Sequence, residues 1–238
     1  MSDKNFTSKQ AFWLGFRDAL PFLLILVPFG MLFGVVGKEA GLSLLQVMAF
    51  SGLVVAGASQ FTAVALLTDH APLFIVVLTA ATVNLRMVMY SAALVPHFGR
   101  APLGMRALIA YCLVDQTFAL ATNKFAAEPG MALGQKTAYF CGAFAFMMPL
   151  WIVSTYFGAV FGAAIPPEYA LDFAVPICFI ALSAPAMRNF PFFVAGVVSI
   201  VGTLALSFVP FKLGLIIAAI FAMIAGAQTE SWMKRRAS

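Results

Sequence analysis

The chain has 238 residues, of which 63% are hydrophobic and only 10% charged, with a mean hydropathy of +0.99. A soluble domain carries about 25% charged residues, so this composition excludes an ordinary water-soluble fold. The net charge of +5 comes largely from Lys4, Lys9 and Arg17 before the first apolar run and Lys234, Arg235 and Arg236 after the last, which reads as membrane flanks and not as a nucleic-acid face.

Apolar runs follow one another to the C-terminus at about 19–37, 42–68, 71–95, 107–123, 137–165, 170–187, 190–211 and 213–229. Backbone groups in lipid must be satisfied within the span, so these are helices, and the fold class is an all-α integral membrane protein with about eight hydrophobic segments. Residues 1–238 read as a single transmembrane domain. The first run is too long for a signal core and lacks a small-residue cleavage site, so it is expected to stay as the first span. Basic ends on one face require an even number of crossings, and both termini are expected in the cytoplasm. Eight full spans satisfy this, as do six full spans with two re-entrant or broken helices.

Two stretches superimpose at a constant offset: LPFLLILVPFGMLFG from residue 20 and MPLWIVSTYFGAVFG from residue 148. Pro21, Phe29, Gly30, Phe33 and Gly34 fall on Pro149, Phe157, Gly158, Phe161 and Gly162. They predict repeats over 12–100 and 137–225, with 101–136 connecting them. Each copy holds a Gly-x-x-x-Gly, which is expected to bring helix backbones close together. Transporters assembled from repeats place their site at discontinuous helices. The second segment of each half is the one to inspect: SGLVVAGASQFTA from Ser51, with Gly57, Ser59 and Gln60, and ALSAPAMRNFPFF, where Pro185 must disrupt a helix just before Arg188.

Only Arg86 and Asp115 are ionisable groups well inside a run. Either costs about 2.5–3.5 kcal/mol at the bilayer centre on insertion scales, so each needs a partner or a wet cavity. Thr79, Thr82, Arg86 and Tyr90 share one helical stripe, with Asn84 on another face, and Asp115 is flanked by Gln116 at the middle of the fourth run. A structural ion pair and a cavity-facing site are both compatible with this pattern.

The segments AGASQFTAVALL (56–67), VNLRMVMYSAALVPHF (83–98) and DQTFAL (115–120), in this order and spacing, resemble the AzlC family, the large subunit of bacterial branched-chain amino acid exporters. The likeness runs from about residue 12 to 225. It implies export of leucine, isoleucine and valine, and in some members methionine, across the bacterial cytoplasmic membrane, with a small AzlD-type membrane subunit as partner. The chain departs from the family pattern at Met87, Ser91 and Gln116, which bears on substrate and proton coupling and not on fold.

A neutral amino acid needs a cation or helix N-terminus for its carboxylate and acceptors for its ammonium. Arg86 and the 56–60 segment suit the first; Asp115 and Gln60 suit the second. Asn84, Gly57, Ser59, Tyr90, Gln116 and Pro185 complete the expected substrate site, with Asp115 as the proton-coupling carboxyl. A non-transporting scaffold subunit is the alternative. Enzyme chemistry is not expected: His70 and His97 lie at segment ends, Cys112, Cys141 and Cys178 lack metal or redox spacing, and neither a nucleotide loop nor another cofactor motif is present.

Overall fold

The computed structural model describes residues 7–162, 189–209 and 213–237, all of the regular structure among them helical. These residues form two compact units. One comprises residues up to 61 together with 83–164, and the other comprises 62–82 together with the chain from 165 onward.

The first unit opens with α1 (Ser8–Asp18), joined by one 3-10 turn at Leu20–Phe22 to α2 (Leu23–Glu39). Thr7 and Gln10 cap α1 reciprocally, the Thr7 amide donating to Gln10 Oε1 at 2.8 Å and the Gln10 amide to Thr7 Oγ1 at 3.3 Å. The first crossing is therefore helical from Ser8, well before the apolar run at 19 where the sequence places it. Gly41, at φ +83, turns the chain after α2, a conformation that a Cβ would disfavour. Ser43 and Gln46 then repeat the same cap for α3 (Leu44–Leu53), and α4 (Gly57–Thr68) follows after a break at 54–56.

The chain leaves this unit in α4 and α5 (Leu73–Val83) and returns with α6 (Leu85–Phe98). There follow α7 (Leu103–Tyr111), α8 (Asp115–Ala127) and the 29-residue α9 (Leu133–Phe161). In the second unit α10 (Phe190–Ala205) and α11 (Leu213–Ala237) form an antiparallel pair, Gly202 facing Ala218 while Ala195 faces Gly226.

The spine of the first unit is α1 and α2 lying along α9. A Cβ on Gly15 would strike the Tyr139 carbonyl, one on Gly34 the Thr155 carbonyl and one on Gly158 the Met31 carbonyl, so the backbones touch with no side chain between them. The paired Gly-x-x-x-Gly motifs thus meet each other, as the sequence predicts for helix packing. Contacts climb together along both helices, from Gly15 at Tyr139 to Gly34 at Thr155, so the two run parallel.

Among the described residues, Ser8–Glu39, Leu73–Phe98 and Leu133–Phe161 are long and apolar enough to cross a bilayer. The 26 residues from Leu73 to Phe98 reach about 39 Å, against a hydrocarbon core of about 30 Å. Among the described residues, the expected segments 42–68 and 107–123 are each broken into two short helices, and 71–95 is interrupted at Asn84. The segment at 170–187, with Pro185 and Arg188, lies outside the described residues.

Candidate functional site

Two short-helix pairs double back toward the middle of α9, from opposite ends. In the first, Val47 packs on Gly37 near the end of α2, and Ser51 Oγ donates to Thr155 Oγ1 at 3.1 Å. Phe33 then meets both Phe50 (6.3 Å between ring centroids) and Phe61 (5.5 Å). Eleven residues of continuous helix would separate those two rings by about 16 Å, so the chain has turned back. The Gln60 side chain closes the turn: its Nε2 donates to the Phe50 carbonyl at 2.9 Å and to that of Val54, filling acceptors that the end of α3 leaves open.

In the second pair, α7 and α8 are bent by 119° at 112–114. Met105 lies 3.5 Å from Thr137 and Phe125 stacks edge-on to Tyr139, so both legs stand beside the first turns of α9. Only the tip reaches further, with Tyr111 against Phe144. No glycine or proline marks this break. The buried Thr117 hydroxyl holds it instead, accepting from the Val114 amide at 2.9 Å and lying 2.9 Å from the Cys112 carbonyl, to which it donates. Asp115, which the sequence places at mid-helix, is consequently the first residue of α8.

The tips meet where Tyr111 Oη donates to the Gly52 carbonyl at 2.7 Å. The N-terminal turns of α4 and α8 thus both begin at the centre of this unit, where the positive end of each helix dipole favours negative charge. Gly57 opens α4 against the Phe29 and Trp151 rings, which leave no room for a Cβ.

Between α5 and α6 the helix is interrupted at Asn84, whose Nδ2 donates to Ser59 Oγ at 3.0 Å, while that hydroxyl donates to the Ala56 carbonyl at 3.1 Å. Arg86 follows in the first turn of α6, and its Nη2 lies 3.0 Å from Asp115 Oδ2. Tyr90, one turn on, donates to Asp115 Oδ1 at 3.0 Å, its ring stacked on Phe118 at 4.1 Å. Both carboxylate oxygens are therefore engaged. The Arg86 and Asp115 side chains keep 33% and 41% of their accessible surface, so the pair is not sealed inside the bundle. Charges with that much open surface must face water or a protein neighbour, because hydrocarbon penalises them too heavily.

The structure thus gathers Gly57, Ser59, Gln60, Asn84, Arg86, Tyr90 and Asp115 around two helix breaks. Gln116 stands half-buried beside Asp115 with no hydrogen-bond partner among the described residues. Pro185 lies outside them. Sequence reasoning missed Thr117, and it did not assign Tyr111 to the contact between tips, because only the turns at 54–56 and 112–114 give these residues their partners. Among the described residues, no group of three or more His, Cys, Asp or Glu side chains is placed to hold a metal ion.

Helices long enough to span a bilayer, joined to broken helices around a central ion pair, define a polytopic α-helical membrane protein with a polar site in its interior. Residues 21–165 match the AzlC protein family, and the chain belongs to that family, which ties it to membrane transport. It is 30% identical over 176 residues to the inner membrane protein YgaZ of Escherichia coli K12, covering 71% of each chain. It is also 28% identical to an uncharacterised membrane protein of Helicobacter pylori J99, over 68% of each, and 27% identical to one of Archaeoglobus fulgidus, over 76% of this chain and 79% of the relative. No solved structure matches.

Proposed function

We propose that the chain is a secondary transporter that exports branched-chain amino acids, leucine, isoleucine and valine with methionine as a further candidate, in exchange for inward-moving protons. The observation that carries this reading is the Arg86–Asp115 pair at the point where two hairpin tips and a third helix break converge. Discontinuous helices supply N-terminal amides and free carbonyls to a small solute, and they can move as units to expose it to either side.

Asp115 is the coupling carboxyl in this reading. Ionised, it attracts the ammonium end of a substrate; protonated, it does not. Proton uptake from the more acidic outside therefore favours release there, and deprotonation inside restores loading. Orientation follows from charge. Lys9, Arg17, Arg100, Arg106, Lys124 and Lys136 belong to the end at which α9 begins, and Lys38 belongs to the opposite end. The first end is accordingly cytoplasmic, in the cytoplasmic membrane of a bacterium, with the N-terminus inside. A small AzlD-type subunit is the proposed partner, and the repeats over 12–100 and 137–225 are the proposed internal organisation.

Vesicles loaded with labelled leucine and reconstituted with the protein, alone and with the small subunit, test the reading. Efflux that accelerates under an inward proton gradient, and loses that dependence in Asp115→Asn, is the expected result. No efflux from either preparation refutes it and favours a scaffold subunit.

A further inference from the structure

Hydrogen-bond accounting gives the site a sharper chemistry. Five buried side-chain atoms have no partner among the described residues: Gln60 Oε1, Thr79 Oγ1, Asn84 Oδ1, Arg86 Nε and Trp151 Nε1. Folded proteins leave few such atoms, and each costs about 1–3 kcal/mol. Three of the five come from residues at two helix starts that touch, since Asn84 is bonded to Ser59, Gln60 is the next residue of α4, and Arg86 stands in the first turn of α6 after Asn84.

The identity of the free atoms is fixed by the bonds around them. Gln60 Nε2 is committed to the Phe50 and Val54 carbonyls, so the oxygen of that amide is the unpaired end. Asn84 Nδ2 donates to Ser59 Oγ, whose own proton goes to the Ala56 carbonyl, so again the amide oxygen is left over. The third atom is a guanidinium N–H. Two neutral acceptors and one cationic donor are the chemical complements of an ammonium and a carboxylate. Asp115 already accepts from Arg86 and Tyr90, one contact on each oxygen.

Building on the export reading above, we propose that Arg86 Nε, Gln60 Oε1 and Asn84 Oδ1 form the head-group site for a free α-amino acid, which must present an unblocked ammonium and an unblocked carboxylate together. Asp115 then acts on the bound ammonium through its charge and remains available to the proton. The three atoms are covered in this conformation, so the ligand enters when the tips part at the Tyr111–Gly52 contact.

Thermal stabilisation of the purified protein in detergent by leucine, 3-methylbutylamine and 4-methylpentanoate tests this without any transport step. The wild type is expected to bind leucine at least about tenfold more tightly than either one-ended analogue, since a site built for hydrogen bonds rejects a ligand that leaves them unmade. Asn84→Ala is expected to weaken leucine about tenfold while leaving 4-methylpentanoate unchanged, which shrinks their ratio by that factor. Asn84→Asp, which preserves volume, is expected to improve 3-methylbutylamine about tenfold. Absence of leucine binding, equal binding of leucine and 4-methylpentanoate, or ratios unmoved in both variants overturns the head-group site. The expected binding pattern without leucine flux in vesicles would overturn the export reading alone, and flux with unmoved ratios would overturn the head-group site alone.

Discussion

Replacing Arg86 with leucine strips Asp115 of the cation 3.0 Å away and leaves only the Tyr90 hydroxyl on its carboxylate. At that separation the Coulomb attraction is about 5 kcal/mol for an effective dielectric of ~20. With 33% and 41% of the two side chains accessible, solvent screens more than half of it. A loss of about 2 kcal/mol for either Arg86→Leu or Asp115→Leu follows, a fall in Tm of roughly 4–8 °C for a chain of this size. The double variant removes both charges at once and fills the space with apolar volume, so its Tm should return to within about 3 °C of the wild type. Thermal unfolding of the four proteins in one detergent completes the cycle. Leucine efflux, measured alongside, should be absent from the double variant despite its recovered stability. Additive losses in Tm would refute the coupled pair, and efflux by a well-folded double variant would refute the site.

Isoleucine at Gly158 drives a branched side chain into the Met31 carbonyl, and should cost about 3 kcal/mol or more, read as lost yield of monodisperse protein; Gly104→Ile, with open space around its Cβ, is the matched control. Thr117→Val unseats the hydroxyl that holds the 112–114 break and should cost about 1–3 kcal/mol, whereas Thr117→Ser should retain most of the Tm. With the three native cysteines removed, a cysteine at Arg100 should resist a membrane-impermeant thiol reagent in intact cells and react after permeabilisation, while one at Lys38 should react in intact cells; the reverse pattern would invert the orientation.

Much of this site is legible in the sequence because burying charge in lipid is so unfavourable. Arg86 and Asp115 stand out as the ionisable groups inside apolar runs, and the structure pairs them. Gly30, Gly34, Gly158 and Gly162 are legible for a similar reason: where lipid removes the hydrophobic drive for association, close backbone approach becomes the main way to hold helices together. The turn at 112–114 is not legible. YCLVDQTF reads as helix, and what ends α7 is a threonine hydroxyl satisfying broken backbone groups, a bond that exists only once the turn is made. Gln60 is half legible. The sequence singles it out as a substrate ligand, and the structure gives its nitrogen to the α3 carbonyls, leaving only the oxygen for chemistry.

The parallel run of α2 and α9 constrains how any duplication can be arranged. An axis lying in the membrane plane turns each helix end for end, so it cannot relate Phe29–Gly34 to Phe157–Gly162 when these stretches climb in the same direction. Parallel entry also requires an odd number of crossings between Glu39 and Leu133. Leu73–Phe98 is long and apolar enough to supply one such crossing, and the chain between Leu103 and Ala127 is bent by 119° at its break. Met105 beside Thr137, His97 beside Lys136 and Ser8 beside Gly134 put Arg100 and Arg106 at the end of the first unit that holds Lys9 and Lys136. Within the first unit the tips of the two short-helix pairs meet at the Tyr111–Gly52 contact, four residues before Asp115 of the ion pair.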